Sequence, residues 1–121
     1  ATLTSIRGNF PQYRLTAIFQ PHLFTRTRDF AEGFSEALSN VDKLILLDIY
    51  PAREEPIPGV TSEIIFRNVT APEKILLRKE ELMEYLERTV TEEGRDLVVT
   101  MGAGDIDRLV GPIGKLLKEK R

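Results

Sequence analysis

Short, nearly continuous apolar runs alternate along this chain with stretches whose apolar residues recur every three or four positions. The runs are Leu15-Thr16-Ala17-Ile18-Phe19, Leu44-Ile45-Leu46-Leu47-Asp48-Ile49 and Leu97-Val98-Val99-Thr100-Met101, with a weaker fourth at Ile75-Leu76-Leu77. Continuous rather than alternating runs of this length are what strands buried on both faces look like. Between them, Phe30, Phe34, Ala37, Leu38 and Val41 fall at helical spacing, as do Leu82, Leu86 and Val90. The longest such stripe comes last: Ile106, Leu109, Val110, Ile113, Leu116 and Leu117. Residues 61–69 read as a short helix begun near Thr61 or Ser62, with Glu63 in its first turn. Residues 1–10 read as the end of a helix that enters the first strand. Strand and helix alternate, so the pattern predicts successive βαβ units with right-handed crossovers.

The predicted class is therefore α/β, a Rossmann-like open and mostly parallel sheet with helices on both faces. A chain of 121 residues makes one domain, 1–121, able to bury roughly two-thirds of the surface its unfolded form exposes. Its 41% hydrophobic and 30% charged content excludes a disordered chain. Net charge is -2, from 17 basic and 19 acidic residues, which argues against nucleic acid or an anionic membrane as partner. A small anion needs only two or three well-placed cations, so it stays open. The absence of cysteine excludes disulfides, thiolate nucleophiles and Cys-ligated zinc, and a single histidine excludes a multi-histidine metal site. No metal site is expected. No apolar run has the length of a membrane span and the N-terminus lacks signal-peptide regions, so a cytoplasmic protein is the expectation. The chain opens Ala1-Thr2-Leu3 without methionine, as a processed protein or a piece of a longer one would.

Ligands of open parallel sheets bind outside the carboxyl ends of the strands. Three loops leave those ends here, at 20–27, 50–59 and 102–105. In the first, Pro21 lacks a backbone donor and biases Gln20 away from helix, so the strand stops and His22 turns out of the sheet. Thr25 or Thr27 then caps a helix that buries Phe30 and Phe34 and holds Asp29 near its positive end. Arg26 falls at the cap or first turn, where a cation is unfavourable unless an anion arrives to share guanidinium and helix end. The plainer alternative is that Arg26 and Arg28 are solvated and His22 caps a turn. The second loop holds three prolines and reads as stiff. The third, Gly102-Ala103-Gly104-Asp105-Ile106-Asp107, has two glycines of a dinucleotide fingerprint but an acid in place of the last one. Gly111-Pro112-Ile113-Gly114-Lys115 lies within a helical pattern and is not a P-loop. Asp48 ends the second strand, where it can pair with an arginine of the first loop or face a metal. Glu54 and Glu55 are adjacent and point in different directions, so they offer no paired-carboxylate site.

Three segments together carry a likeness to a known family. Phe19-Gln20-Pro21-His22-Leu23-Phe24-Thr25-Arg26-Thr27 comes first. Leu47-Asp48-Ile49-Tyr50-Pro51-Ala52-Arg53-Glu54 follows, continuing through Pro56-Ile57-Pro58-Gly59-Val60-Thr61-Ser62. Gly102-Ala103-Gly104-Asp105-Ile106 is the third. In this order and spacing they resemble the C-terminal domain of the Mur ligases of peptidoglycan synthesis, over almost the whole chain. The Gln-Pro-His-x-x-Thr-Arg-Thr pattern is similar to that of the alanine-adding member. The resemblance implies a three-domain cytoplasmic enzyme that uses ATP and Mg2+ to join L-alanine to UDP-N-acetylmuramate through an acyl phosphate. It implies that a central ATPase domain, absent here, binds the nucleotide and that this domain acts as a lid, inactive alone. By the same resemblance His22 and Arg26 face the reaction centre, where Arg26 clamps a carboxylate or phosphoryl group and His22 donates to the same oxygens or steers the amine. The resemblance further implies that Thr25, Asp48, Tyr50, Arg53, Gly102 and Gly104 border the nucleotide side or the domain interface. Many relatives carry arginine where this chain has Leu23. A free-standing Rossmann-like module for a nucleotide or another anion is the alternative, as is the corresponding domain of another Mur ligase.

Overall fold

The computed structural model describes Gly8 and residues 13–51, 53–89 and 96–102. The elements are β1 (Arg14–Gln20), α1 (Phe24–Leu38), β2 (Lys43–Leu47), α2 (Glu63–Phe66), β3 (Glu73–Leu77), α3 (Lys79–Thr89) and β4 (Asp96–Gly102). The strands form one parallel sheet in the order β3-β2-β1-β4. All four predicted runs are strands. The register sets Ala17 against Leu44 and Val99, and Gln20 level with Gly102, so β1 and β4 end at the same height.

Burial on both sheet faces explains the continuous apolar runs. Leu15, Ala17, Phe19, Leu44 and Leu46 pack on one side with Leu38, Val41 and Ile65, which come from the α1 and α2 segments. Ile18, Ile45 and Leu47 pack on the other with Leu82 and Leu86 of α3. Helices thus cover both faces, as the periodicity predicts. Removing each of these large side chains from water stabilises the fold by roughly 1.5–3 kcal/mol.

Two expectations for the helices need correction. Phe30 does not join the core: it is 59% exposed, and Ala37 is exposed too. Phe30 has non-helical backbone angles (φ −117°, ψ 15°), so α1 kinks there and the face it buries shifts. Thr27, Ser35 and Leu38 are buried, with Ala31 and Phe34 partly so. The buried hydroxyl of Ser35 donates toward the Ala31 and Ile65 carbonyls, at 2.7 and 3.1 Å, tying α1 to α2. Leu82 and Leu86 are buried as expected, while Val90, the terminal stripe from Ile106 and residues 1–7 lie outside the described residues.

The second loop holds a turn that its sequence sets. Ile57-Pro58-Gly59-Val60 closes a turn in which Val60 N donates to Ile57 O at 3.0 Å and Gly59 has φ 80°. Proline presets the first central residue and glycine alone takes that φ without strain. At the opposite rim, the Asp42 carboxylate accepts from Leu15 N at 2.8 Å, its own N–H donates to Leu15 O, and its carbonyl accepts from Glu73 N. One residue therefore joins the amino ends of β1, β2 and β3. Among the described residues no helix is long and apolar enough to cross a membrane.

Candidate functional site

At the carboxyl rim β1 stops at buried Gln20, and Pro21 follows, as the missing donor predicts. Pairing does not stop with it. Tyr50 N donates to Pro21 O at 2.8 Å and Leu23 N donates to Tyr50 O at 2.9 Å, so His22 and Tyr50 form one further parallel bridge. The two rings stack, with centroids 5.6 Å apart and planes at 15°. His22 thus leaves β1 but stays paired, partly buried against an aromatic face rather than freely solvated.

The chain then turns sharply. Leu23 has φ 71° and ψ 138°, the one positive φ at a non-glycine residue described. Such a conformation costs about 1–3 kcal/mol and persists only where the surroundings over-determine it. Here the Leu23 amide is held by Tyr50, while its carbonyl accepts from Thr27 N (3.1 Å) and Thr27 Oγ1 (2.7 Å). α1 starts at Phe24, one residue later.

That start overturns the expected cap. The N-cap position is Leu23, which has no side chain able to cap, and the first turn contains no acid. Thr27 bonds back to Leu23, and Thr25 is a recipient rather than a cap. Glu54, from the second loop, reaches across: Oε1 accepts from Thr25 N at 3.1 Å and Oε2 from Thr25 Oγ1 at 2.5 Å. The Thr25 hydroxyl, foremost, holds the Glu54 carboxyl below the usual carboxylate range, with the Thr25 and Phe24 amides adding and desolvation opposing. Asp29, expected at the positive helix end, sits past the first turn and pairs instead with exposed Arg28 at 2.9 Å. That hydrogen bond and its charge lower the Asp29 carboxyl and raise the Arg28 guanidinium.

Arg26 lies in the first turn of α1, exposed, and lines a shallow groove with Phe30, Gly33 and Phe34. No ion pair involves it among the described residues. Arg53 is likewise exposed, beside Glu54. Asp48 corrects another expectation. It lies one residue beyond β2, is exposed, and pairs with no arginine among the described residues. Nor do His, Cys, Asp and Glu gather in groups of three that could hold a metal ion, among the described residues. The backbone of Gly102 pairs with Gln20, which puts the start of the third loop beside Pro21; Gly104 lies outside the described residues.

The structure brings His22, Tyr50, Thr25 and Glu54 together at one rim, with Arg26 next to Thr25, and leaves Asp48 and Arg53 in solvent. Glu54 is the member that residue-by-residue reasoning missed. Its partner lies 29 positions away in a stretch without periodicity, and its only signal was membership of the second motif.

A parallel sheet, helices on both faces and polar loops gathered at its carboxyl edge define a Rossmann-like α/β domain with a rim site. No protein-family model matches the chain. It is 53% identical over 117 residues to the UDP-N-acetylmuramate–L-alanine ligase of Parabacteroides distasonis, 96% of this chain and 24% of that protein. Identity to the enzyme of the same name from Phocaeicola vulgatus is 47% over 120 residues, 98% of this chain and 25% of that protein. For Cytophaga hutchinsonii it is 46% over 121 residues, again 25% of the relative. The chain belongs to the family of these Mur ligases as a partial domain, spanning about a quarter of the length of the curated relatives it matches.

Proposed function

We propose that this chain is the C-terminal lid domain of an ATP-dependent ligase that joins L-alanine to UDP-N-acetylmuramate, in the cytoplasm, during peptidoglycan synthesis. The observation that carries the reading is the placement of His22 and Arg26 at the carboxyl rim of a parallel sheet, in a chain similar throughout to ligases of that name. In the proposed reaction the carboxylate of UDP-N-acetylmuramate takes the terminal phosphoryl group of ATP, releasing ADP. The amine of L-alanine then attacks the acyl carbon, a proton leaves the nitrogen and phosphate departs.

Arg26 has no internal partner described, so its guanidinium fork is available to a carboxylate or phosphoryl group. His22 is oriented by stacking on Tyr50, which suits a donor to the same oxygens better than a mobile base. Water can take the amine proton, so the rim contributes orientation and charge stabilisation. ATP and Mg2+ are assigned to a central domain in cis, since this chain contains no P-loop. An acyl phosphate is destroyed by water, a reason to complete the site only when the amine is present.

The test is Arg26→Ala in the intact ligase. Ligation should fall by roughly two to three orders of magnitude, as on removal of one preorganised charge contact. Wild-type turnover would remove Arg26 from the mechanism. The 121-residue chain alone should neither ligate nor bind ADP or ATP measurably, by calorimetry.

A further inference from the structure

We propose that Glu54 is a positioning residue: through Thr25 it holds the first turn of α1, and with it Arg26, in the geometry that ligation needs. The inference rests on the ligase reading and deepens it, since no role for Glu54 follows from the likeness alone.

α1 lacks the usual local support at its start. Its N-cap position carries a leucine, its first turn has no acid, and its entry residue holds a positive φ. A helix end of this kind leaves amide donors without local partners. One carboxylate from the second loop supplies the missing acceptor, taking the Thr25 amide with one oxygen and the Thr25 hydroxyl with the other. Two bonds to one rigid carboxylate fix orientation as well as distance. Glu54 is itself fixed, because its own amide donates to Pro51 O at 2.9 Å, closing a turn directly after Tyr50. The loops that leave β1 and β2 are therefore joined twice: by the His22–Tyr50 rung and by the Glu54–Thr25 clamp.

Arg26 follows Thr25 directly and has no described contact of its own. Its starting point is set by the residues on either side, Thr25 held by Glu54 and Thr27 held by Leu23. The clamp also changes what an incoming anion meets. A helix N-terminus attracts negative charge, but this one already accommodates the chain's own carboxylate. A substrate oxygen approaching the rim is left to the guanidinium of Arg26 and the imidazole of His22.

Turnover and amide hydrogen exchange of the intact ligase decide the matter. Glu54→Ala should lower kcat/KM by about 10²-fold, the size of a displacement near 1 Å in a positioned group. It should speed exchange at Thr25 and leave the amides of β1 and β2 protected. Glu54→Gln, which keeps an oxygen for the Thr25 amide, should retain most of the rate. The double variant Glu54→Ala/Arg26→Ala should be no slower than Arg26→Ala, because Glu54 acts through that turn. If Glu54→Ala reduces folding, Thr25→Val, which deletes the hydroxyl bond alone, should show the same pattern at about tenfold. Multiplying losses in the double variant, or unchanged exchange at Thr25, would overturn the proposal. Faster turnover in Glu54→Ala would also overturn it, marking Glu54 as an occupant that substrate displaces. Should Arg26→Ala alone keep wild-type turnover, the role proposed for Arg26 in ligation falls, while exchange at Thr25 still judges the clamp.

Discussion

The two rims of the sheet are each fastened by a carboxylate that accepts a backbone amide, yet they are built differently. At the amino rim Asp42 satisfies Leu15 N, and the same residue's main chain bonds Leu15 and Glu73. Apart from that carboxylate, the fastening there is main chain in ordinary conformation, joined to adjoining strands. At the carboxyl rim Glu54 satisfies Thr25 N, but the turn it holds contains Leu23 at positive φ and ends in the exposed cation Arg26. The first fastening completes the fold. The second sustains a conformation that the local sequence would not choose, beside the residues with chemistry to offer.

Asp42→Ala should produce the largest effect on stability, about 1–3 kcal/mol, because it leaves a strand amide without its acceptor. Thermal unfolding measures the loss. Amide exchange at 23–27 should stay as in the wild type below the transition, and loosening there would show that the rims are not independent. Asp42→Asn, which keeps an acceptor oxygen, should recover most of the stability.

A pair of variants at Leu23 gives an effect of intermediate size. Glycine is ordinarily less stable than alanine, by up to about 1 kcal/mol. With φ at 71° the order should invert, Leu23→Gly exceeding Leu23→Ala by about 1 kcal/mol in denaturant unfolding. The ordinary order would mean that the turn relaxes and that no strain is held at this rim.

The smallest effect is one of pH. Glu54 is held below its ordinary value by Thr25, so its contribution is fully present above the ordinary glutamate range. It fades as pH falls through the lowered value of the folded form. Amide chemical shifts of Thr25 should move in that acidic window, and in Glu54→Gln the step should vanish. An identical step in the variant would assign the titration to another carboxyl.

The strands were legible in sequence because burial on both faces leaves an unbroken apolar run, and Leu44-Ile45-Leu46-Leu47 admits little else. Pro21 correctly ended β1, and Glu63 correctly marked a helix start. Phe30 misled because periodicity treats an aromatic as buried, whereas a kink turns it outward. The cap was misassigned for a related reason. Local rules look for an acceptor within the same turn, and here it came from another loop. Asp48 looked like a partner for arginine because it follows a strand, but a position along the chain does not fix where a side chain points.

One rung of pairing beyond a proline has a mechanical consequence. Bonds from Tyr50 grip the chain on both sides of His22, so the segment has no pivot at its root and is spliced onto the sheet as a rigid extension. A motion that brought this α/β body toward a neighbour would carry the imidazole of His22 and the root of Arg26 as fixtures of the frame. Their arrival would then be timed by travel of the whole body, and stiffening the segment further should leave that timing unchanged.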